Sequence, residues 1–263
     1  MSDVVISERD GSTLILTINR PQALNALNRE TTRALTAAFE GASREEGIGA
    51  VILTGAGRAF CAGADLKDVS ARIAAGDVDV GNDLRANYAP LTRAIRRCTK
   101  PVIAALNGTA AGAGMSLALA CDLRIAATGA QLIVAFVRVG LVPDAGSLFF
   151  LTRMLGLSKA TELAMTGDPL SAEDALRLGV VSGVVPPDQL MAVARERAAK
   201  LAQGPRLTIA LIKRGLERSL ALDLEQTLEL EAGLQTLAGR SSDAQEAIQA
   251  FVEKRSPVFK PQK

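Results

Sequence analysis

Three short, continuous apolar runs constrain the fold of this chain most strongly. They are Ala50–Thr54, Pro101–Leu106 and Leu123–Ala127, with Arg124 as the one charged residue among them. Apolar runs of this length, without alternating polar residues, are typical of strands that are buried on both faces. A helical stretch, Asp83–Cys98, lies between the first run and the second. This alternation of buried strands and helices predicts an α/β fold with parallel strands.

The last part of the chain has a different pattern. After about residue 186 no further strand-like run occurs, and four helical segments follow: 188–203, 207–220, 223–238 and 243–255. Ser242 and Gln245 have the spacing of a capping box for the last of them. Helices with apolar faces and little core of their own indicate contacts between subunits. We therefore predict a core at residues 1–190 and a helical oligomerisation region at residues 191–263.

Composition excludes several classes of function. Lys and Arg total 30 against 28 Asp and Glu, so the net charge is only +2, and the aromatic residues are seven Phe, one Tyr and no Trp. Nucleic-acid binding, which needs basic surface or stacking rings, is therefore not expected. The chain has no histidine, which excludes Ser-His-Asp and Cys-His catalysis and HExxH zinc sites. Acid–base chemistry must use carboxylates, Lys, Tyr or Cys.

The cysteines and the apolar segments indicate the cellular setting. Cys61, Cys98 and Cys121 are odd in number and form no CxxC motif, so we expect no disulfide framework. The N-terminus lacks a basic region followed by an apolar core, and the most apolar tract, Pro101–Ala120, is interrupted by polar residues and glycines. Neither a signal peptide nor a membrane span is predicted. We expect a soluble, cytoplasmic protein.

Two glycine-rich turns, at residues 55–65 and 107–114, follow predicted buried strands. Each contains Gly-x-Gly, but the sixth position of the dinucleotide-binding pattern is Phe60 in one turn and Leu117 in the other, which disfavours a nicotinamide-dependent enzyme. Glycines at such places also let a ligand approach backbone N–H groups closely. Two such turns facing each other would form an oxyanion hole with two donors. Either turn alone is explained by packing between strand and helix.

Asp144 is the candidate acid. It lies in the apolar, glycine-flanked segment Val139–Gly146, directly before a predicted helix at Ser147–Leu155. Two interpretations stay open. The aspartate is an ordinary helix N-cap, or it is a desolvated carboxyl whose raised pKa suits proton transfer.

Five segments together resemble the signature motifs of the enoyl-CoA hydratase/isomerase (crotonase) superfamily: 19–25, 60–66, 107–114, 140–146 and 251–257. Within it, Ala135-Phe136, Pro143-Asp144 and residues 237–241 are most similar to ring-1,2-epoxyphenylacetyl-CoA isomerases of phenylacetate degradation and to Δ3,Δ2-enoyl-CoA isomerases. The resemblance implies a core of β-β-α turns wound into a spiral and a C-terminal α-helical trimerisation region, in homotrimers or hexamers. It implies an acyl-CoA substrate, whose enolate is stabilised in an oxyanion hole, and no metal or redox cofactor, since coenzyme A enters as part of the substrate.

The resemblance also implies roles for individual residues. The N–H groups of Ala62 and Ala113 would hold the thioester oxygen, and Asp144 would be the catalytic acid. Two segments would line the CoA channel, with Ala23, Leu24 and Asn25 in one and Ala62, Gly63, Ala64, Asp65 and Leu66 in the other. Phe251 and Lys254 would reach the CoA of a neighbouring subunit.

Two departures from the family pattern decide between reactions. Hydratases of the family carry glutamates at the positions of Ser116 and Phe136, and both are absent here. Hydration needs one group to deprotonate water and another to protonate the α-carbon, whereas one carboxylate can move a proton from C2 to C4 of an enolate. The sequence therefore favours an enoyl-CoA isomerase, acting on a double bond or a ring epoxide.

Two alternatives stay open. The first is an enoyl-CoA hydratase of fatty-acid β-oxidation that uses another carboxylate, with Asp65, Asp68, Asp83 and Glu162 as candidates. The second is an acyl-CoA-binding protein without catalytic activity, against which Asp144 counts. The acyl group is not determined by the sequence, although the segment Val69–Asn87 is expected to cover its pocket.

Overall fold

The computed structural model describes residues 3–76 and 79–259 of the chain. Within these residues, ten strands form two sheets. The strands are β1 (Val5–Asp10), β2 (Thr13–Ile18), β3 (Ala50–Gly55), β4 (Ala59–Cys61), β5 (Val102–Leu106), β6 (Thr109–Ala111), β7 (Leu123–Ala127), β8 (Gln131–Ile133), β9 (Pro169–Ser171) and β10 (Gly183–Val185). The larger sheet has the order β1-β2-β3-β5-β7-β10 and the smaller has the order β4-β6-β8-β9.

Helices connect the strands and form the C-terminal part. They are α1 (Arg29–Arg44), α2 (Leu66–Ala74), α3 (Val80–Asp83), α4 (Ala89–Arg97), α5 (Ala113–Ala120), α6 (Ser147–Thr166), α7 (Ala172–Arg177), α8 (Leu190–Ala202), α9 (Arg206–Ser219), α10 (Leu224–Gly239) and α11 (Ser242–Val252). A π-helical turn, Leu84–Tyr88, joins α3 to α4, and short 3₁₀ helices lie at Pro21–Ala23 and Ala135–Val139. In the described part of the chain, no helix is both long enough and apolar enough to span a membrane.

Three β-β-α units repeat along the chain. They are β3-β4-α2, β5-β6-α5 and β7-β8-α6, and in each the first strand belongs to the larger sheet and the second to the smaller. Strands β2, β3, β5, β7 and β10 pair in parallel, and so do β4, β6 and β8. The predicted α/β fold with parallel strands is confirmed, and its repetition is the β-β-α spiral that the resemblance implies.

The apolar runs of β3 and β5 are buried on both faces of the larger sheet. Ile52 and Ile103 belong to one cluster of buried apolar side chains, and Leu53 and Ala104 belong to another. Because neighbouring residues of a strand point to opposite faces, a strand that is buried on both faces needs an unbroken apolar run. The prediction of doubly buried strands is therefore confirmed.

Helix α8 belongs to the core. Four apolar residues, spaced four apart on one face of the helix, share a cluster with Ile52 and Ile103: Leu190, Ala194, Ala198 and Ala202. The sheet needs this helix to cover its second face. The predicted boundary at residue 190 is thus too early, and the core extends to about residue 202.

The helices after α8 bury few of their apolar side chains within the chain. Helix α10 has no buried residue, and Leu216, Leu228 and Phe251 are exposed. An open groove of about 610 Å³ lies between helices α9 and α10 and is lined mainly by apolar residues. Exposed apolar surface of this kind marks contact sites between proteins. It supports the prediction of an oligomerisation region, which we expect to begin after α8.

The caps of these helices correct one detail of the sequence analysis. Helix α11 begins after Ser241, whose Oγ accepts the N–H of Ala244 at 3.1 Å. The predicted cap at Ser242 is wrong by one residue, because two adjacent serines give the same local signal. The capping box of this region is at α10, where Asp223 and Gln226 each bond to the other's backbone N–H at 2.8 and 3.3 Å.

Replacing Leu216 or Leu228 by glutamate should weaken subunit association, because either change places a charge on an apolar surface. We expect the wild-type chain to sediment as an oligomer and both variants to shift toward the monomer. Sedimentation velocity at micromolar concentration measures this. Gln131→Glu, which adds the same charge at an exposed position of β8, is the control. A stable wild-type monomer would show that α9 and α10 do not form an interface.

Candidate active site

The pairing of two short strands brings the glycine-rich turns together. Strand β4 pairs in parallel with β6, with Cys61 beside Ala110, so the turns that follow leave the same edge of the smaller sheet. The backbones touch there: a Cβ atom on Gly114 would lie 2.2 Å from the carbonyl oxygen of Cys61, and one on Gly63 would lie 2.8 Å from that of Ala111. Only glycine fits at these two positions. The predicted meeting of the two turns is confirmed.

The turn after β4 also runs beside the segment Leu24–Leu27. The N–H of Leu27 donates to the carbonyl oxygen of Gly63 at 2.7 Å, and the N–H of Asp65 donates to that of Leu27 at 2.9 Å. The structure therefore brings together the two segments predicted to line the CoA channel, Ala23–Asn25 and Gly63–Leu66. Their contact with CoA stays a prediction.

This pairing determines which backbone N–H groups are open to a ligand. The N–H of Ala62 donates to the carbonyl oxygen of Leu24 at 3.0 Å, so the predicted oxyanion donor at Ala62 is wrong because its hydrogen is already used. Ala64 lies between two residues that bond to Leu27, and its N–H therefore points away from Leu27. Within residues 3–76 and 79–259, neither Ala64 N–H nor Ala113 N–H has an acceptor. Ala113 is the first residue of α5, where backbone N–H groups have no partner within the helix.

Buried polar side chains hold these segments in place. Asn25 is fully buried, and its amide donates to the carbonyl oxygens of Ala56 and Ala59 at 2.8 and 2.7 Å. Asp65 accepts the Arg20 guanidinium at 2.8 Å and caps α2. Burial raises the pKa of the Asp65 carboxyl, but the hydrogen bonds from Arg20 and from backbone N–H groups outweigh burial and leave the pKa below its ordinary value. The side chains of Asn25 and Asp65 therefore stabilise the fold through these hydrogen bonds.

The turn that carries Asp144 is held by hydroxyl groups from two helices. Ser116, in α5, donates from Oγ to the carbonyl oxygen of Asp144 at 3.0 Å, and its Oγ lies 2.6 Å from that of Ser147. Thr92, in α4, donates to the carbonyl oxygen of Ala145 at 3.0 Å. Since Ser116 is three residues after Ala113 on the same helix, α5 connects the open N–H group with the turn that carries Asp144.

The Asp144 carboxyl has no hydrogen-bond partner among the residues that the structure describes. Its Oδ1 is buried and lacks a hydrogen bond in the described part of the structure, and burial raises its pKa from 3.8 to about 6. The helix that follows has Gly146 as its N-cap and no side-chain cap. The interpretation of Asp144 as a helix cap is therefore wrong. A carboxyl that titrates near neutral pH is suited to proton transfer.

A cavity of about 200 Å³ opens beside this turn, lined by Leu84, Tyr88, Ala89, Thr92, Arg93, Ala145 and Gly146. Part of its wall is the π-helical turn Leu84–Tyr88, a feature that often occurs at functional sites. The predicted acyl-pocket segment Val69–Asn87 contributes Leu84 to the wall, and residues 77–78 of that segment lie outside the described residues. The extent of the acyl pocket stays a prediction.

Comparison with known proteins decides the family. The family model described as enoyl-CoA hydratase/isomerase matches residues 8–262. The chain belongs to this family.

Members of the enoyl-CoA hydratase/isomerase family are similar to this chain over nearly its whole length. A "Probable enoyl-CoA hydratase" from Rhodobacter capsulatus is 44% identical over 245 residues, which is 93% of each chain. The 1,2-epoxyphenylacetyl-CoA isomerase of Escherichia coli is 40% identical over 259 residues, 98% of this chain and 99% of the relative. A crystal structure of an enoyl-CoA hydratase from Bacillus anthracis matches with a TM-score of 0.92 at 32% identity, covering 98% of this chain and 100% of the other. The crotonase fold and a family that acts on acyl-CoA thioesters are thus shown.

Within this family, the structure places the remaining predicted residues as follows. Ser116 and Phe136, at the positions of the hydratase glutamates, are both buried. Phe251, near the end of α11, is 86% exposed, and Lys254 follows the helix with a φ of 57°. The hydrogen bonds that build the site include neither of them. Their contact with a neighbouring subunit stays a prediction.

Three residues of the site have no recognisable signal in the sequence. Thr92 and Ser147 bond to the Asp144 turn and to Ser116, and their positions are fixed by contacts between helices that are far apart in the chain. Tyr88 is buried, donates to the carbonyl oxygen of Leu27 at 3.3 Å and lines the cavity. Tyr88 is the single tyrosine of the chain, and this is the one sequence feature that could have indicated it.

Ala64→Pro should lower acyl-CoA turnover by about 10²–10³-fold, because it removes one N–H donor of the kind that stabilises an oxyanion. Ala64→Gly, which keeps the N–H, should lose far less. Steady-state kinetics on both variants, after circular dichroism has verified folding, make the comparison. Equal turnover of the two variants would show that the N–H of Ala64 does not bind the reacting oxygen.

Asp144→Asn should stabilise the protein at pH 7. The folded-state pKa of about 6 lies above the ordinary 3.8, so the folded state holds its proton more tightly and loses stability as pH rises through this window. Since one pH unit is worth about 1.4 kcal/mol, the ionised carboxyl costs the folded state up to about 3 kcal/mol.

Urea unfolding of wild type and variant at pH 7.5 and pH 4 measures the effect, and the gain should largely disappear at pH 4. Asp65→Asn is a control of opposite sign. Its lowered pKa stabilises the fold above the unfolded-state pKa, so this variant should be destabilised at pH 7.5 and less so at acid pH. A helix-capping role for Asp144 predicts almost no change in the stability of Asp144→Asn at either pH instead, because asparagine caps helices about as well as aspartate.

Proposed function

We propose that this chain is an enoyl-CoA isomerase that uses Asp144 as its one catalytic carboxylate. The observation that carries the proposal is the contrast between Asp144 and the other acids weighed for catalysis. Asp144 has no partner among the described residues, whereas each of the others is ion-paired. The pairs are Asp65 with Arg20, Asp68 with Arg72, Asp83 with both Arg29 and Arg72, and Glu162 with Lys159. A carboxylate that is bound to a guanidinium or ammonium group must give up this contact before its oxygens can take a proton from a substrate.

The two positions of the hydratase glutamates support isomerisation over hydration. Ser116 is buried with its hydroxyl bonded to the Asp144 turn, and Phe136 packs in the apolar core. Neither side chain exchanges protons near neutral pH, so a second acid–base group for the addition of water is missing at both positions. With the four paired acids set aside, proton transfer depends on Asp144 alone.

The proposed reaction moves one proton. The ionised Asp144 carboxylate takes a proton from C2 of the acyl group, and the electrons of that C–H bond pass into the thioester carbonyl to form an enolate. The N–H groups of Ala64 and Ala113 stabilise the negative oxygen. The same carboxyl then returns the proton to C4 as the double bond shifts. Nothing is oxidised or reduced, so we propose that no redox cofactor takes part.

The substrate is proposed to be an acyl-CoA thioester with a double bond or a ring epoxide near the carbonyl. The epoxide option is supported by the 40% identity to the 1,2-epoxyphenylacetyl-CoA isomerase of Escherichia coli. A hydratase is the second candidate, because the Rhodobacter capsulatus relative with that name is 44% identical. Mass spectrometry of the products separates the two, since hydration adds one water and isomerisation leaves the mass unchanged. An acyl-CoA that is bound but never altered would instead indicate a binding protein.

Asp144→Asn should lower isomerase turnover by at least the 10²–10⁴-fold typical of losing a general acid–base group. Because CoA contacts are proposed in other segments, acyl-CoA affinity should persist. In the wild type, kcat/KM should rise with pH through about 6, because the carboxylate must be ionised to take the C2 proton. Glu162→Gln, at an exposed ion pair on α6, is the matched control. Full isomerase turnover in folded Asp144→Asn would overturn the mechanism.

A further inference from the structure

Ser116 and Ser147 form a fully buried hydroxyl pair that the proposed proton transfer does not use. Their exposures are 0% and 1%, and their Oγ atoms are 2.6 Å apart. Each hydroxyl has one proton to donate. An arrangement that satisfies both has Ser147 donate to Ser116, while Ser116 donates to the carbonyl oxygen of Asp144 at 3.0 Å, which is nearer than its other acceptor, the carbonyl oxygen of Gly112 at 3.3 Å. The pair therefore links α5 to the first residues of α6 through the turn between them.

The turn needs this external support. Ala145 and Gly146 both have positive φ, 49° and 93°, and this region is unfavourable for a residue with a side chain such as Ala145. The carbonyl groups of Asp144 and Ala145 each accept a hydroxyl hydrogen, one from Ser116 in α5 and one from Thr92 in α4. Two consecutive carbonyl groups are thus fixed by two different helices.

The Asp144 carboxyl depends on this backbone support for its position. No side chain in the described residues bonds to its Oδ1, so its orientation follows from the backbone of the turn. The N–H of Ala113 belongs to the same helix as Ser116. The distance between the proposed base and the proposed oxyanion donor is thus set through Ser116.

We propose that Ser116 and Ser147 are positioning residues, which hold the Asp144 carboxyl at the reacting carbons relative to the N–H of Ala113. This rests on the proposed function, in which Asp144 moves the proton. It also gives a physical reason for a serine at a position where hydratases carry glutamate. The hydroxyl is enclosed and committed to the turn, and a longer, charged side chain would have to break both hydrogen bonds.

Ser116→Ala and Ser147→Ala test the proposal, because each removes a hydroxyl without adding volume. We expect kcat for isomerisation to fall at least tenfold in Ser116→Ala, with KM changed less than about threefold, since a small misplacement of a catalytic group costs turnover more than binding. Ser147→Ala should lose less, because the Ser116 hydroxyl can still reach Asp144. The midpoint of the acid limb of the pH profile should move down from about 6 as the loosened carboxyl gains water.

The matched control is Ser241→Ala, which removes a buried hydroxyl that caps α11. It should lower the melting temperature and leave kcat and the pH profile unchanged. If Ser116→Ala behaves in the same way, the serine pair is only structural and the proposal is overturned. Should Ser116→Ala fail to fold, unchanged kcat and pH profile in Ser147→Ala would overturn it equally.

A double-mutant cycle separates this proposal from the proposed function. Adding Ser116→Ala to Asp144→Asn should cause almost no further loss of residual turnover, because the serine acts through the carboxyl that is already gone. An equal loss in both backgrounds would overturn the positioning role while leaving Asp144 as the base. Full turnover of Asp144→Asn by itself would overturn both.

Discussion

The close approach of the turns after β4 and β6 underlies the whole site. Parallel pairing brings the backbones so near that a Cβ atom on Gly114 would lie 2.2 Å from the Cys61 carbonyl oxygen. The turn after β4 also pairs with the segment Leu24–Leu27, which uses the N–H of Ala62, and the N–H groups of Ala64 and Ala113 have no acceptors within the described residues. Backbone N–H groups without partners cost the folded protein stability, and a ligand oxygen that accepts them recovers part of that cost. These two open N–H groups are the backbone basis of the proposed oxyanion site.

The pKa of Asp144 is raised because its carboxyl is buried without a partner among the described residues. Arginine or lysine pairs with Asp65, Asp68, Asp83 and Glu162. Asp144 lies in an apolar turn whose hydroxyl contacts all go to the backbone, so burial raises its pKa to about 6. Burying this carboxyl lowers the stability of the fold, and the large apolar core offsets the loss. The chain has no histidine, and burial of the Asp144 carboxyl supplies a group that titrates near neutral pH instead.

The fold was predictable where burial leaves a local pattern. Strands β3 and β5 read as unbroken apolar runs, and β7 as an apolar run with one charge at Arg124, because the larger sheet is covered on both faces. Strands β4, β6, β8 and β9 have three residues each. A strand of this length is too short to show a periodic pattern, so no local pattern predicts the smaller sheet. Helix α8 resembles the helices after it in sequence. Helix α8 belongs to the core because it covers one face of the larger sheet. The local sequence pattern of the helix does not show this contact.

Residue order alone shows the glycine-rich turns, Asp144 and the five motifs that indicate the family, and it places Ser116 and Phe136 where the resemblance implies hydratase glutamates. These are properties of residue type and local order. Three features depend on how distant segments pack. The N–H of Ala64 rather than that of Ala62 is open, and Asp144 is no helix cap. The hydroxyl groups of Ser116 and Thr92 bond to the Asp144 turn, and that of Ser147 bonds to Ser116. The reason is physical: a hydrogen bond is formed or absent within a few tenths of an ångström, and those distances are set by how remote segments pack.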